Sequence, residues 1–270
     1  MMIDAHCHIK DESSVQQLLY QMQQNKIEKS LLISWPFWKT SDNNALLKIS
    51  GQHPQLSVIG SIKLTNNKDL KKDLASLSKL SKSRNDDISR QSIVGIKIYT
   101  GYEHIFANDK LCYKIAEMCE TAKIPLLFHS GDCWSGASQA DAHGASTLQP
   151  KVRFAHPLYI DDVAVDFPDI NIIICHFGNP WLMDTAEVLY KNKNVYADLS
   201  ALDVNKPWDS IRERLMEAIE FSQASDRLLF GTDFPLFQAA DQIKKIRSLG
   251  LSKQDIENTF HVNAEKIFKI

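Results

Sequence analysis

Met1-Met2-Ile3-Asp4-Ala5-His6-Cys7-His8 opens the chain, and residues 3–8 have the character of a short β-strand. Side chains alternate between the two faces of a strand. His6 and His8 therefore point the same way, with Asp4 behind them on that face and Cys7 turned to the other side. Two imidazoles on one face can share a metal ion, because neutral imidazole is the commonest protein ligand for zinc and its neighbours. A lone His-x-His is a weak motif. If it binds metal here, the other ligands must come from strands much later in the chain.

Those strands are visible as apolar runs at 2–6, 31–35, 57–62, 93–99, 125–129, 171–176, 194–199 and 227–232. The runs are continuous and rich in β-branched and aromatic residues, as strands buried on both faces should be. Helical patterns separate them. Ser13 or Ser14 can cap a helix with Val15, Leu18, Leu19 and Met22 on one face. Leu70, Leu74, Leu77 and Leu80 form a stripe, with Lys71, Lys72, Lys79 and Lys82 largely on the other, solvated side. Residues 110–122, 161–166, 181–190, 210–221 and 241–249 supply further helices, and a terminal segment, 253–268, is expected to pack across the barrel. Eight strands alternating with helices predict an α/β fold, a single (β/α)8 or TIM barrel spanning 1–270. A polar loop covers 81–92. A Gly-, Ser-, Ala- and Asp-rich connection after the fifth strand, 131–148, is long enough for a lid or binding loop.

Composition narrows the class. The 270 residues are 44% hydrophobic and 24% charged, and the net charge is −2. That balance supports a large buried core and gives no electrostatic case for nucleic acid or an anionic membrane surface. No apolar run reaches transmembrane length, and the N-terminus lacks a basic segment followed by an apolar one. Five scattered cysteines do not suggest a disulfide framework. Cys7 and Cys175 each neighbour a candidate ligand histidine and should face away from it, as buried thiols in a reducing cytoplasm.

In such a barrel, polar residues at the C-terminal strand ends line the active site. Strand one supplies His6 and His8, and strand four supplies Lys97 and Tyr99. Strand five ends in His129, strand six in His176, strand seven in Asp198 and Ser200, and strand eight in Asp233. Each alone is better read as structural. Four histidines and an aspartate at the strand ends of one barrel make a constellation. Three imidazoles and a carboxylate leave a coordination position open, as a catalytic zinc site must. Aromatic residues frame the mouth: Trp35, Phe37 and Trp38, Tyr99 and Tyr102, Phe177 and Trp181. Together they suggest a pocket for a flat or partly apolar substrate. Arg153 and His156 could reach the same mouth.

The stretches Ile3-Asp4-Ala5-His6-Cys7-His8, Val94-Gly95-Ile96-Lys97, Leu126-Leu127-Phe128-His129, Phe167-Pro168-Asp169-Ile170 through Cys175-His176-Phe177-Gly178, and Gly231-Thr232-Asp233-Phe234-Pro235 resemble the amidohydrolase superfamily. Within it they resemble the branch that includes aminocarboxymuconate-semialdehyde decarboxylase and related aromatic-acid decarboxylases. The resemblance implies that His6, His8, His129 and Asp233 hold one divalent ion, zinc first and manganese or another ion as alternatives. His176 is then a proton-transfer residue or a ligand of a second metal. In binuclear members a fourth-strand lysine is carboxylated and bridges two ions. Lys97 permits that, but the branch resembled here is mononuclear, so Lys97 is read as an ammonium that pairs with a substrate carboxylate. Dimers are common in this branch, so a homodimer is an expectation.

The leading expectation is a hydrolase of a small molecule, metal-bound water attacking a C–N or C–O acyl bond, with Asp233 and His176 as the catalytic pair. The alternative is a non-oxidative decarboxylase of a small unsaturated or aromatic acid. Arginines that would clamp a carboxylate are missing from the first two strand-to-helix loops, which favours hydrolysis. A DNA-cleaving member would carry glutamate in place of Lys97 and an acidic residue in place of Gly231. A non-catalytic scaffold would have lost part of the ligand set.

Overall fold

The computed structural model describes residues 1–35, 41–65, 67–82, 92–133, 149–203 and 206–270. Phe37, Trp38 and most of the two loops singled out above lie outside the described residues.

All eight strands form near the expected places, the first three displaced by one or two residues and the other five shorter than expected. They are β1 (Ile3–Cys7), β2 (Lys29–Ile33), β3 (Leu56–Ser61), β4 (Ile93–Ile98), β5 (Leu126–Phe128), β6 (Ile172–Ile174), β7 (Val195–Asp198) and β8 (Leu228–Leu229). They make one parallel sheet in the order β1 to β8. The sheet curls until its edges meet. Ala5 N–H donates to Phe230 O at 2.9 Å, Asp233 N–H to His6 O at 2.7 Å and His8 N–H to Phe234 O at 2.8 Å. The fold is a TIM barrel, with helices between the strands.

The helices are α1 (Glu12–Asn25), α2 (Asn43–Gln52), α3 (Leu70–Lys82), the single turn α4 (Thr100–Glu103), α5 (Lys110–Ala122), α6 (Leu158–Asp166), α7 (Leu182–Lys191), α8 (Trp208–Ser222), α9 (Ala239–Arg247), α10 (Lys253–Glu257) and α11 (Asn263–Phe268). The cap of α1 is Asp11, not Ser13 or Ser14. Asp11 Oδ1 accepts from Ser14 N–H at 2.9 Å while Ser14 Oγ accepts from Asp11 N–H at 3.0 Å, closing a reciprocal capping box. The terminal segment is interrupted by one wide helical turn between α10 and α11. Its last residues, Ala264, Ile267 and Phe268, pack with the inward-facing Ile3, Val94 and Leu127. They plug the end of the barrel opposite the strand termini that carry the histidines.

Strand faces are readable from the core. One apolar cluster holds Ile3, Ala5, Leu31, Ile33, Ile59, Leu127, Ile173 and Leu229 and lies inside the barrel. The larger cluster holds the outward-facing Leu32, Val58, Ile96, Phe128, Ile172 and Leu228 together with the helices. Burying this much apolar surface is the dominant favourable term in the fold.

Two expectations about faces are corrected. Asp4 does not share a face with His6. Between Asp4↔Ser30 and Cys7↔Leu32 the strand spends three steps against its partner's two, a β-bulge that breaks the alternation. Asp4 lies outside with Cys7, accepting from Thr232 N–H at 2.9 Å and Thr232 Oγ1–H at 2.6 Å. Cys175 does not face away from the site either. It belongs to the interior cluster, because His176 turns into the left-handed region at φ 59° and re-enters the mouth from the next position. Cys7 faces outward as expected. All five cysteines are free.

Candidate metal centre

His6, His8 and Asp233 converge at the C-terminal mouth. His6 Nε2 is 3.5 Å from Asp233 Oδ1, and His8 Nε2 is 3.4 Å from the same oxygen. Two donors on one tetrahedral zinc at about 2.05 Å stand about 3.3 Å apart. Both edges therefore have the length of shared coordination.

The tautomers agree. His8 Nδ1 is 3.0 Å from Ile33 O, and a carbonyl only accepts, so Nδ1 carries the hydrogen and Nε2 the lone pair. His6 Nδ1 is 2.9 Å from Asp198 Oδ2, and the same logic leaves Nε2 free to donate its lone pair. Lys97 Nζ already donates to that lone pair at 2.7 Å. A cation taking it would have to displace the ammonium. The three donors fit a divalent ion in number, element and spacing. In a second grouping, His6 with His176 and Asp198, His6 Nδ1 already gives its hydrogen to Asp198 Oδ2, and we read it as a hydrogen-bonded cluster.

His129 stands apart from both groupings. Its Nε2 donates to Asp132 O at 3.0 Å, which leaves the lone pair on Nδ1, 3.2 Å from His176 Nε2. The structure thus brings together three of the four residues that the family resemblance named as ligands, and sets the fourth against His176.

Burial governs the protonation of these groups. It lowers His8 and His176 well below the ordinary histidine range and His129 to about 3; the positive charge of Lys97 adds to the effect on His8 and His129, and the His6 imidazole adds to that on His176. All three are neutral and able to lend a lone pair. Burial also raises Asp233, with His6 and Lys97 opposing it. For Asp198 burial works against the charge, yet the neighbouring imidazoles and the hydrogen bonds from His6 and Ser200 hold its carboxyl well below the usual range.

The backbone is tight here. His176, Phe177 and Asp233 all have positive φ, a conformation that costs on the order of 1 kcal/mol or more in non-glycine residues and gathers at functional sites. Gly131, at φ 89°, is required by close approach, since a Cβ there would lie 2.2 Å from Asn179 O.

Around the centre, Trp35 packs edge-on to Tyr99 at 4.6 Å and Tyr102 at 5.1 Å, with His8 at 6.1 Å. Lys97 Nζ sits 4.9 Å above the Tyr99 ring, and Tyr99 Oη–H donates to Ser34 O at 2.8 Å. These residues wall the site. His156 packs on Trp181 at 4.7 Å, and Arg153 is exposed, its guanidinium 4.7 Å from the Phe154 ring. Neither interaction links Arg153, His156 or Trp181 to His6, His8, His129 or His176. Asp198 and Ser200 appeared only as polar strand-end residues in the sequence. Asp198 touches His6, His176 and Ser200.

A TIM barrel with a His/His/Asp donor set at its C-terminal mouth defines a class of metal-binding enzymes. The amidohydrolase family model matches residues 85–270. The chain belongs to the amidohydrolase family. A search of curated proteins finds no match. Among solved structures the chain is similar to an uncharacterized TIM-barrel protein from Bordetella bronchiseptica (18% identity, 99% of this chain and 98% of that one covered, TM-score 0.76). It is also similar to a probable 2-pyrone-4,6-dicarboxylic acid hydrolase from Acinetobacter baumannii with citric acid bound (16%, 100% and 99%, TM-score 0.69). A third is 5-carboxyvanillate decarboxylase from Novosphingobium aromaticivorans complexed with manganese and 4-hydroxy-3-methoxy-5-nitrobenzoic acid (15%, 100% and 96%, TM-score 0.67). At these identities the likeness speaks to the fold. Among the described residues no helix is long and apolar enough to cross a membrane.

Proposed function

We propose that the chain is a metal-dependent hydrolase of a small, flat, carboxylate-bearing molecule, with His6, His8 and Asp233 holding one divalent ion, zinc first. The observation that carries this reading is the convergence of His6 Nε2, His8 Nε2 and Asp233 Oδ1 at 3.4–3.5 Å, with both imidazoles locked in the ligating tautomer. His129, whose Nδ1 lone pair faces His176 Nε2 at 3.2 Å, is the candidate fourth ligand by the family resemblance. A divalent ion held there polarises a carbonyl and acidifies water.

The remaining roles belong to the side chains. Asp233 takes the proton of the attacking water and returns it to the leaving group, a task helped by its raised pKa. His176, neutral and with Nε2 turned to the mouth, orients that water by accepting its second hydrogen. Lys97, released from His6, pairs its ammonium with a substrate carboxylate. Trp35 and Tyr99 wall the apolar side of the substrate, and Arg153, His156 and Trp181 line its outer approach.

Decarboxylation is the second reading, favoured by the buried Lys97 ammonium, which places a cation where a carboxylate would bind. The fold neighbours include both a probable 2-pyrone-4,6-dicarboxylic acid hydrolase and a 5-carboxyvanillate decarboxylase. Incubation with a panel of lactones, amides and aromatic acids tests both. Release of an acid with consumption of base supports hydrolysis, whereas carbon dioxide release from an aromatic acid moves the chain to the second reading. Elemental analysis showing no divalent metal, and no activity on adding zinc or manganese, would sink the proposal altogether.

A further inference from the structure

Three hydrogen bonds at the end of β7 account for more than local packing. Asp198 Oδ1 accepts from His176 N–H at 3.0 Å, from Ser200 N–H at 3.0 Å and from Ser200 Oγ–H at 2.5 Å. Its other oxygen, Oδ2, faces His6 Nδ1 at 2.9 Å. Ser200 Oγ lies 3.0 Å from His6 Nδ1 and 3.0 Å from His176 Nδ1. Both Asp198 and Ser200 are buried to 1% exposure or less, so no bulk water helps to satisfy these atoms.

A hydroxyl has one hydrogen and two lone pairs. Asp198, ionised, can only accept, so the hydroxyl hydrogen goes to Oδ1. Both lone pairs of Ser200 Oγ are then left to receive hydrogens from His6 Nδ1 and His176 Nδ1. Ser200 O, 3.2 Å from His176 Nδ1, is a second acceptor on the same ring nitrogen. With both imidazoles carrying their hydrogen on Nδ1, every donor and acceptor around Asp198 and Ser200 is used, and the lone pairs of His176 Nε2 and His129 Nδ1 are left facing each other at 3.2 Å, about the spacing of two donors on one cation.

We infer that Asp198 is a positioning residue that sets the tautomers of two histidines at once, with Ser200 as the bridge between them. Through Oδ2 it turns the His6 lone pair toward His8 and Asp233. Through Ser200 it turns the His176 lone pair toward His129 and the mouth of the barrel. One carboxylate thus prepares a metal ligand and a proton acceptor together. The part concerning His6 rests on the proposed metal site; the part concerning His176 stands on the hydrogen bonds alone.

Asp198→Asn separates this role from mere packing, because the amide has the same shape. Its oxygen must remain with the two backbone N–H donors of His176 and Ser200. The NH2 group is left facing His6 Nδ1, which then has to accept, and the hydrogen moves to Nε2. This is the wrong tautomer for binding metal, as in the aspartate-to-asparagine logic of other histidine sites.

The test uses the full chain, labelled with nitrogen-15 and observed by long-range proton–nitrogen correlation before and after zinc is added, with zinc affinity measured by chelator competition. The parent should show His6 and His176 as Nδ1–H tautomers. Asp198→Asn should show His6 as Nε2–H and zinc affinity lower by about 10- to 100-fold, with His176 still Nδ1–H because the amide oxygen keeps the Ser200 hydroxyl hydrogen; Asp198→Ala, which removes that acceptor, should free the hydroxyl to donate to His176 Nδ1 and move the His176 hydrogen to Nε2. Ser200→Ala, which keeps the carboxylate, should retain the parental His6 tautomer and zinc affinity. An Nε2–H signal for either histidine in the parent overturns the inference, as does parental zinc affinity in Asp198→Asn. Should Asp198→Asn fail to fold, the parent spectrum decides alone. A parent that binds no zinc but shows both Nδ1–H tautomers removes the metal reading and leaves the role of Asp198 toward His176 standing.

Discussion

Gly231→Ala adds a single methyl group at the strand junction behind the metal centre. A Cβ built there would stand 2.7 Å from His6 Cβ and 3.0 Å from Ser200 Cβ. Carbon atoms pack at about 3.5–4.0 Å, so His6 must retreat by roughly 1 Å. Neither neighbour is the far end of a flexible chain; both are first atoms of buried side chains, one on β1 and one just past the end of β7. Overpacking of this kind costs about 1–3 kcal/mol. A loss of about 2 kcal/mol lowers the melting temperature by about 4–8 °C in a domain of this size. The site should suffer more than the fold. Ligand distances tolerate about 0.2 Å of error, and the His6–Asp233 edge would change by several times that. Zinc affinity should fall by at least about tenfold. Calorimetric melting with and without zinc, beside chelator competition, measures both effects. A Gly231→Ala protein that melts within a degree of the parent and binds zinc equally well would refute this account of how the backbone after β8 supports His6.

His8→Ala should lose most bound metal by elemental analysis, since it removes one of three convergent donors; undiminished metal would end the assignment of His8. Lys97→Met should keep about one metal per chain and raise KM sharply for acidic substrates, and bicarbonate should not rescue Lys97→Ala; rescue with a second equivalent of metal would place Lys97 as a carboxylated bridge. In chelator-treated protein, stability should fall as pH drops from about 6.5 toward 3. There His8, His129 and His176 stay neutral in the folded chain while the unfolded chain takes up protons, each contributing up to about 1.4 kcal/mol per pH unit. Stability that is flat across that window by denaturant titration would show that these rings are not neutral when folded. Arg227→Met should cost about 3 kcal/mol or more, because the buried guanidinium donates to Leu189 O, Asn192 O and Val195 O; activity per folded molecule should be unchanged, and a melting point equal to the parent's would discount these bonds.

The barrel was legible because parallel strands buried on both faces leave continuous apolar runs, and a run such as 93–99 resembles nothing else of that length. The strand-end histidines and Asp233 were legible for the same reason: a polar residue that ends an apolar run marks the mouth. Helix α2 was missed because only Leu46, Leu47 and Ser50 are buried along its length, too few to form a stripe; Asp42, which caps it by accepting from Ala45 N–H, was the available signal. The position of Asp4 depended on a bulge, and that of Cys175 on a left-handed His176. Neither leaves a trace, since histidine and phenylalanine do not announce positive φ as glycine does. Asp198 could be placed at a strand end but not given a task, because its task is defined by three strands, β1, β6 and β7, meeting at one carboxylate.

The seam between β1 and β8 has a consequence for how the protein is made. Cys7 pairs with Phe234, so the first strand of the barrel to be made waits for the last before its second edge is covered. At about 5–20 residues per second, those 226 intervening positions take roughly 10–45 s to synthesise. Throughout that interval β1 presents an open edge, and His6 and His8 have no Asp233 beside them. On the metal reading proposed above, loading of an ion would therefore belong to the closing of the barrel: His6 and His8 gain Asp233 as a third donor only when the seam between β1 and β8 forms.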